Sequence, residues 1–135
     1  MPSTASTAEN ESDRERGSAV AEFAMVGSLL VVLFLGAFQV GFALFVRNSL
    51  TAYAVEGARY GARADSTPAA GADRTRGLID QALDDRFSSD VSASETTEGG
   101  ARVVVIKVRA QLPVLGPFGP PGGLEVSGRA YAEAQ

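Results

Sequence analysis

The chain has 135 residues, with 12 basic and 16 acidic side chains, a formal net charge of −4, and no Cys, His or Trp. Those absences exclude a disulfide frame, a thiol nucleophile, a thiolate zinc site and the commonest general base. The acidic balance is a poor match for nucleic acid, and the length holds one domain at most.

Residues 1–17 are rich in Ser, Thr, Ala and acidic side chains, with Arg14 and Arg16 set against Glu9, Glu11, Asp13 and Glu15. Too little of this stretch is apolar to offset chain entropy, and it is expected to be disordered. The junction that follows reads Gly17-Ser18-Ala19-Val20-Ala21-Glu22-Phe23. Glu22 stands at the edge of an apolar helix, where a carboxylate needs a partner, solvation or a helix N-terminus. Cleavage between Gly17 and Ser18 would create an α-amine with a pKa near 8, charged at neutral pH. Positions 18 and 22 share a helical face, so that amine could meet Glu22 of its own or a neighbouring chain.

Residues 23–46 read FAMVGSLLVVLFLGAFQVGFALFV and carry no formal charge. As a helix they extend roughly 36 Å at about 1.5 Å per residue, enough to cross a hydrocarbon layer of about 30 Å. A chain this short cannot bury such a helix on all sides. The run is also too long for a signal peptide, and the nearest small-x-small triplet, Ala62-Arg63-Ala64, lies far beyond it. A retained anchor is expected. Arg14 and Arg16 before the span and Arg47, Arg59 and Arg63 after it give no clear vote on orientation. Ala37 and Gly41 form a small-x-x-x-small pair that permits helix association in lipid.

The helix is expected to continue, because residues 47–64 are Ala-rich and lack Pro. Tyr53 falls at interfacial depth, whereas Tyr60 lies beyond it and is expected to pack on the soluble part. Ala54, Ala58, Gly61 and Ala62 recur at helical spacing and allow close approach of another element. Arg59 and Arg63 share a face, and Glu56 is placed to pair with Arg59. On composition this reads as a solvated charged face, with a docking surface for a pilus partner or lipid phosphate as the functional alternative.

Ser66-Thr67-Pro68 is expected to end the long helix. A second helix is expected over about 73–87, with Leu78, Ile79, Ala82, Leu83 and Phe87 as its apolar stripe. Asp80, Asp84 and Asp85 lack the loop of a calcium motif, and no metal site is expected. Residues 101–112 alternate, with Val104, Ile106, Val108, Ala110 and Leu112 inward and Lys107, Arg109 and Gln111 outward. Residues 124–133 repeat the pattern, and 90–95 form a weaker strand. Residues 113–123, with four of the six prolines, are a loop carrying Leu115 and Phe118.

The Gly17-Ser18 step, Glu22-Phe23 and the long apolar run together resemble a type IV prepilin-type processing site. The block Ala54-Val55-Glu56-Gly57-Ala58-Arg59-Tyr60-Gly61-Ala62-Arg63 resembles that of TadE-like proteins, minor pseudopilins of tight-adherence (Tad/Flp) pilus systems. The resemblance covers residues 14–65 and extends loosely to the strands. Gly27 stands where family members often carry Pro, and the leader is not basic. The resemblance implies a prepilin peptidase that cuts after Gly17, an N-terminus in the cytoplasm, and a role for Glu22 in subunit assembly or recognition.

The expected fold is α+β. Residues 1–17 form a cleaved cytoplasmic leader and 18–65 a long helix with its transmembrane span at 23–46. Residues 66–135 form a small extracytoplasmic domain with a short helix and an antiparallel sheet of two to four strands. The resemblance implies a cytoplasmic-membrane protein that joins a cell-surface pilus. Its implied partners are the prepilin peptidase, other pilins and pseudopilins, pilus assembly platform proteins and the lipid bilayer. Catalytic residues, cofactors, nucleic acid and a small-molecule substrate are not expected, because the carboxylates lack a nucleophile or cofactor partner. The alternative is an uncleaved single-pass membrane-anchored envelope binding module.

Overall fold

A computed structural model of the chain describes residues 4–112 and 123–134, with side chains from residue 6 onward. The loop residues 113–122, including Leu115 and Phe118, lie outside the described residues. Helix α1 runs Thr4–Gly61 and α2 runs Pro68–Ala82. A single 3-10 turn, Asp85–Phe87, follows. Strands β1 (Asp90–Glu98), β2 (Ala101–Ala110) and β3 (Leu124–Tyr131) complete the order. They form one antiparallel sheet in the order β1-β2-β3. The class is the expected α+β.

The chain forms two compact units, Met1–Val40 and Gly41–Gln135. The first consists, over its described residues, of the N-terminal part of α1. Its large apolar side chains are exposed throughout, from Val20 to Val40. Ser28 donates its hydroxyl to the Met25 carbonyl at 2.8 Å, which satisfies a polar group that hydrocarbon could not. α1 is thus long and apolar enough to cross a membrane.

Two differences from expectation concern α1. It begins at Thr4, so the described leader residues are helical rather than disordered. Residues 4–16 contain no Pro or Gly and include Ala, Glu and Arg, which favour propagation of a helix already formed downstream. α1 ends at Gly61 and not near residue 65. A turn over 62–65 takes its place, with the Ser66 N–H donating to the Arg63 carbonyl at 3.1 Å.

The second unit packs the C-terminal part of α1 and α2 against one face of the sheet. Val46, Leu50, Ala54 and Ala58 form the buried stripe of α1, spaced four residues apart, and Ala62 continues it in the turn that follows. They meet Ile79, Phe87, Val91, Val104, Ile106, Val108, Ala110 and Val126, with Phe42, Tyr53, Leu112 and Leu124 packed at the edges. Tyr53 is therefore partly in the domain core and not simply an interfacial aromatic.

α2 starts earlier than expected. Thr67 caps it, accepting from the Ala70 N–H at 3.2 Å, and Pro68 occupies its first turn. Pro lacks an N–H that the first turn would leave unpaired anyway, so Pro68 opens α2, seven residues after α1 has ended at Gly61. The helix stops at Ala82, which is exposed rather than part of the apolar stripe. Asp84 then caps the 3-10 turn, accepting from the Arg86 N–H at 3.1 Å. Asp80 accepts from the Ser88 hydroxyl. Those two carboxylates serve local structure.

β1 pairs with β2 from Asp90↔Arg109 to Glu98↔Ala101, and β2 with β3 from Val103↔Tyr131 to Ala110↔Leu124. Gly99 and Gly100 turn the first hairpin with φ of 60° and 84°, values that suit glycine. The strands end at 98, 110 and 131, against the expected 95, 112 and 133. Val104, Ile106, Val108 and Ala110 face the helices as expected. Val103 and Val105 are also buried, although alternation assigns them to the opposite face.

Candidate functional site

The residues singled out in the sequence fall into two groups, one in each unit. Gly17, Ser18, Glu22 and Phe23 lie on α1 in the first unit and are all exposed, Phe23 at 81%. Added atoms at Gly17 would meet nothing within 4 Å. Gly within a helix costs roughly 0.5–1 kcal/mol relative to Ala, so Gly17 is a weak point in an otherwise strong helical stretch. Ser18 and Glu22 stand one turn apart. Among the described residues Glu22 forms no ion pair, which leaves its carboxylate open to a partner in another molecule.

The second group comprises Glu56, Arg59, Tyr60 and Arg63. These residues line an open cleft of about 410 Å³ with Ala62, Ala130, Tyr131 and Glu133. The expected Glu56–Arg59 pair does not form: among the described residues neither takes part in an ion pair. Arg63 instead lies over the Tyr60 ring at 5.6 Å and reaches Asp65 at 3.3 Å. Arg63 lies beyond the end of α1 at Gly61 and follows the turn rather than the helical face. Tyr60 remains 38% exposed at the cleft rim. Glu133 closes the cleft floor: its N–H donates to the Ala62 carbonyl at 2.8 Å, and its carboxylate accepts from the Ala64 N–H at 3.2 Å.

The same block has a second set of residues on its opposite face. A Cβ on Gly57 would overlap the Thr75 hydroxyl and come within 2.6 Å of the Gly71 carbonyl oxygen. One on Gly61 would stand 3.0 Å from the Thr67 carbonyl oxygen. Thr75 itself is fully buried and donates to the Gly71 carbonyl at 2.9 Å. Gly57, Gly61 and Gly71 therefore set the close crossing of α1 and α2. Small residues at helical spacing signal such an approach, but the identity of the partner helix is visible only in the fold.

A second open cleft, of about 640 Å³, includes Arg86, Ser89, Asp90, Arg109 and Gln111. Its arginines are already engaged. Arg86 lies 3.6 Å from Asp84, and Arg109 lies 2.7 Å from Glu125. The hydrogen bond to Glu125 holds the Arg109 pKa above its ordinary value and the Glu125 pKa below its own. Among the described residues no cluster of three metal-ligating side chains occurs.

A helix long and apolar enough to cross a membrane is followed by a small helix-on-sheet domain, an arrangement consistent with a membrane-anchored protein. Residues 17–59 match the family model described as TadE-like protein, the family that the processing step and the Gly-Ala-Arg-Tyr block resemble. Over that stretch, about a third of its length, the chain is similar to TadE-like proteins. No curated protein and no solved structure matches the chain.

Proposed function

We propose that the protein is a minor pseudopilin, a non-catalytic assembly subunit of a tight-adherence (type IVc) pilus, and that a prepilin peptidase matures it by cutting after Gly17. The observation that carries the reading is where the family match starts. It begins at Gly17 and leaves the helical leader outside, although α1 itself runs on unbroken to Thr4. The cut releases the leader, with its excess of acid, and makes Ser18 the new N-terminus. Its amine is charged at neutral pH. In hydrocarbon, that charge and the Glu22 carboxylate are best kept together, either within one chain or between neighbours. The N-terminal side faces the cytoplasm and the α+β domain lies outside the cytoplasmic membrane. The cleft at Glu56, Arg59, Tyr60 and Arg63 is the surface offered to other pilus components.

Because a peptidase must engage an extended backbone, the α1 turn at Gly17 has to open first, and glycine lowers that cost. The test is the N-terminal residue of the membrane-bound protein, determined with and without an active prepilin peptidase. The expected result is Ser18 only when the peptidase is active, with Gly17→Val retaining the leader. A full-length N-terminus in both cases would overturn the reading and leave an uncleaved anchored binding module.

A further inference from the structure

The apolar run and the domain core share one stretch of α1, and that sharing places the domain relative to the lipid. Residues 42–46 belong to the second unit. On one side of this stretch Phe42 and Val46 pack into the domain core. On the other, Leu44 and Phe45 are exposed at 54% and 57%. Arg47 and Asn48 follow immediately and are exposed and polar. Leu44 and Phe45 therefore mark the last hydrocarbon level of the helix, and Arg47 marks the headgroup level, where a basic side chain is at home.

The rest of the domain can be ranked along α1 by two seam points. Gly128 of β3 abuts Ala54 and Val55, and Glu133 bonds to Ala62. β3 and this part of α1 thus advance in the same direction. From Gly128 back to Leu124 is about 13 Å at strand rise, which equals about nine helical residues and reaches the level of Phe45. Leu124 pairs with Ala110, and both join the core that holds Phe42 and Val46. The opposite end of the sheet, at Thr97, Glu98 and Ala101, lies about 30 Å further on.

We propose that the Ala110–Leu124 end of the sheet, with Ser89 and Gln111 beside it, rests directly on the lipid surface at headgroup depth. The occupant of this end is the bilayer itself. Arg86 and Arg109 are engaged by Asp84 and Glu125, so the contact comes chiefly from the shared apolar stretch. This inference rests on α1 crossing the membrane.

The cysteine-free sequence makes the test direct. Single variants Leu33→Cys, Ser89→Cys, Gln111→Cys and Thr97→Cys of the full chain are labelled with a fluorophore. Each is reconstituted in phosphatidylcholine vesicles that contain lipid spin-labelled either in the acyl chain or at the headgroup. Leu33 is expected to be quenched by the acyl-chain label. Ser89 and Gln111 are expected to be quenched by the headgroup label several-fold more than Thr97, with little dependence on added anionic lipid. Quenching at Ser89 and Gln111 as weak as at Thr97, with Leu33 still quenched, would show a domain held off the membrane and overturn the inference alone. Equal strong quenching at Thr97 would also overturn it, by showing a domain lying flat. An unquenched Leu33 would remove the membrane span itself, and the inference with it.

Discussion

Gly128 stands inside β3 because no side chain fits there. A Cβ at this position would overlap the Ala54 carbonyl carbon and the Val55 nitrogen, so the strand and α1 meet backbone to backbone. Neither partner is a flexible side-chain tip that can swing aside. Gly128→Ala is expected to destabilise the domain by about 1–3 kcal/mol or more, the range for overpacking a close contact. Gly77 provides the contrast, since it lies within α2 with nothing within 4 Å of an added Cβ. Gly77→Ala is expected to stabilise by roughly 0.4–1 kcal/mol, mostly by restricting the unfolded chain. Thermal unfolding of the two variants followed by circular dichroism checks both signs. A glycine at an inward strand position is a readable sign of close approach, but which backbone approaches follows from the fold alone.

At the scale of elements, the alternation in β2 and β3 was readable because each has one face on the helices. Val103 and Val105 escaped that pattern. They lie on the far face of the central strand, where cross-strand neighbours shield them and no helix does. Arg129 of β3 reaches Glu98 of β1 at 2.8 Å across the sheet, and Tyr131 lies directly beside Val103. Long polar side chains with apolar stems can cover such a valine, and a pattern of single residues does not show it. The start of α2 was missed for a different reason: Pro68 was read as a stop when Thr67 makes it a start. The same outer face carries the row Asp90, Arg109, Glu125. Arg109 holds the Glu125 pKa below its ordinary 4.5, chiefly through the hydrogen bond between them. A lowered folded-state pKa means that the contribution is present above 4.5. It is lost as pH falls through the folded value. The domain is expected to lose thermal stability on acidification below 4.5. The loss should be smaller in Glu125→Gln, as measured by unfolding midpoints across that range.

For the whole molecule, the candidate span and the Gly-Ser step are far more legible in the sequence than the cleft near Tyr60. An uncharged run of 24 residues and a Gly-Ser step are local in the chain and need no tertiary contact to be seen. The cleft joins residues near position 60 to others near 131, and its charge pattern depends on α1 ending at Gly61. Glu56 and Arg59, apt to pair by spacing, form no ion pair among the described residues. Glu22 can be tested at this scale. With its carboxylate exposed and without an ion pair among the described residues, Glu22→Ala is expected to leave the domain fold and the N-terminal cut intact. It is expected to reduce recovery of the protein with other pilus subunits after crosslinking in membranes. Normal recovery would make Glu22 an interfacial residue only.

The bond between Glu133 and the end of α1 also governs when the domain can form. Synthesis delivers α1 first and β3 last, and the residues that meet at Ala64 and Glu133 are separated by 69 positions. Until β3 arrives, the backbone of Ala54 and Val55 and the carbonyl of Ala62 have no lining. The face of α1 that meets β3 therefore stays uncovered while α2, β1 and β2 are made. Folding of this domain is expected to follow synthesis of β3, with a slow step set by closing that long loop. In the interval, the uncovered stripe is the part of the newborn protein most in need of a holding chaperone or an early assembly partner.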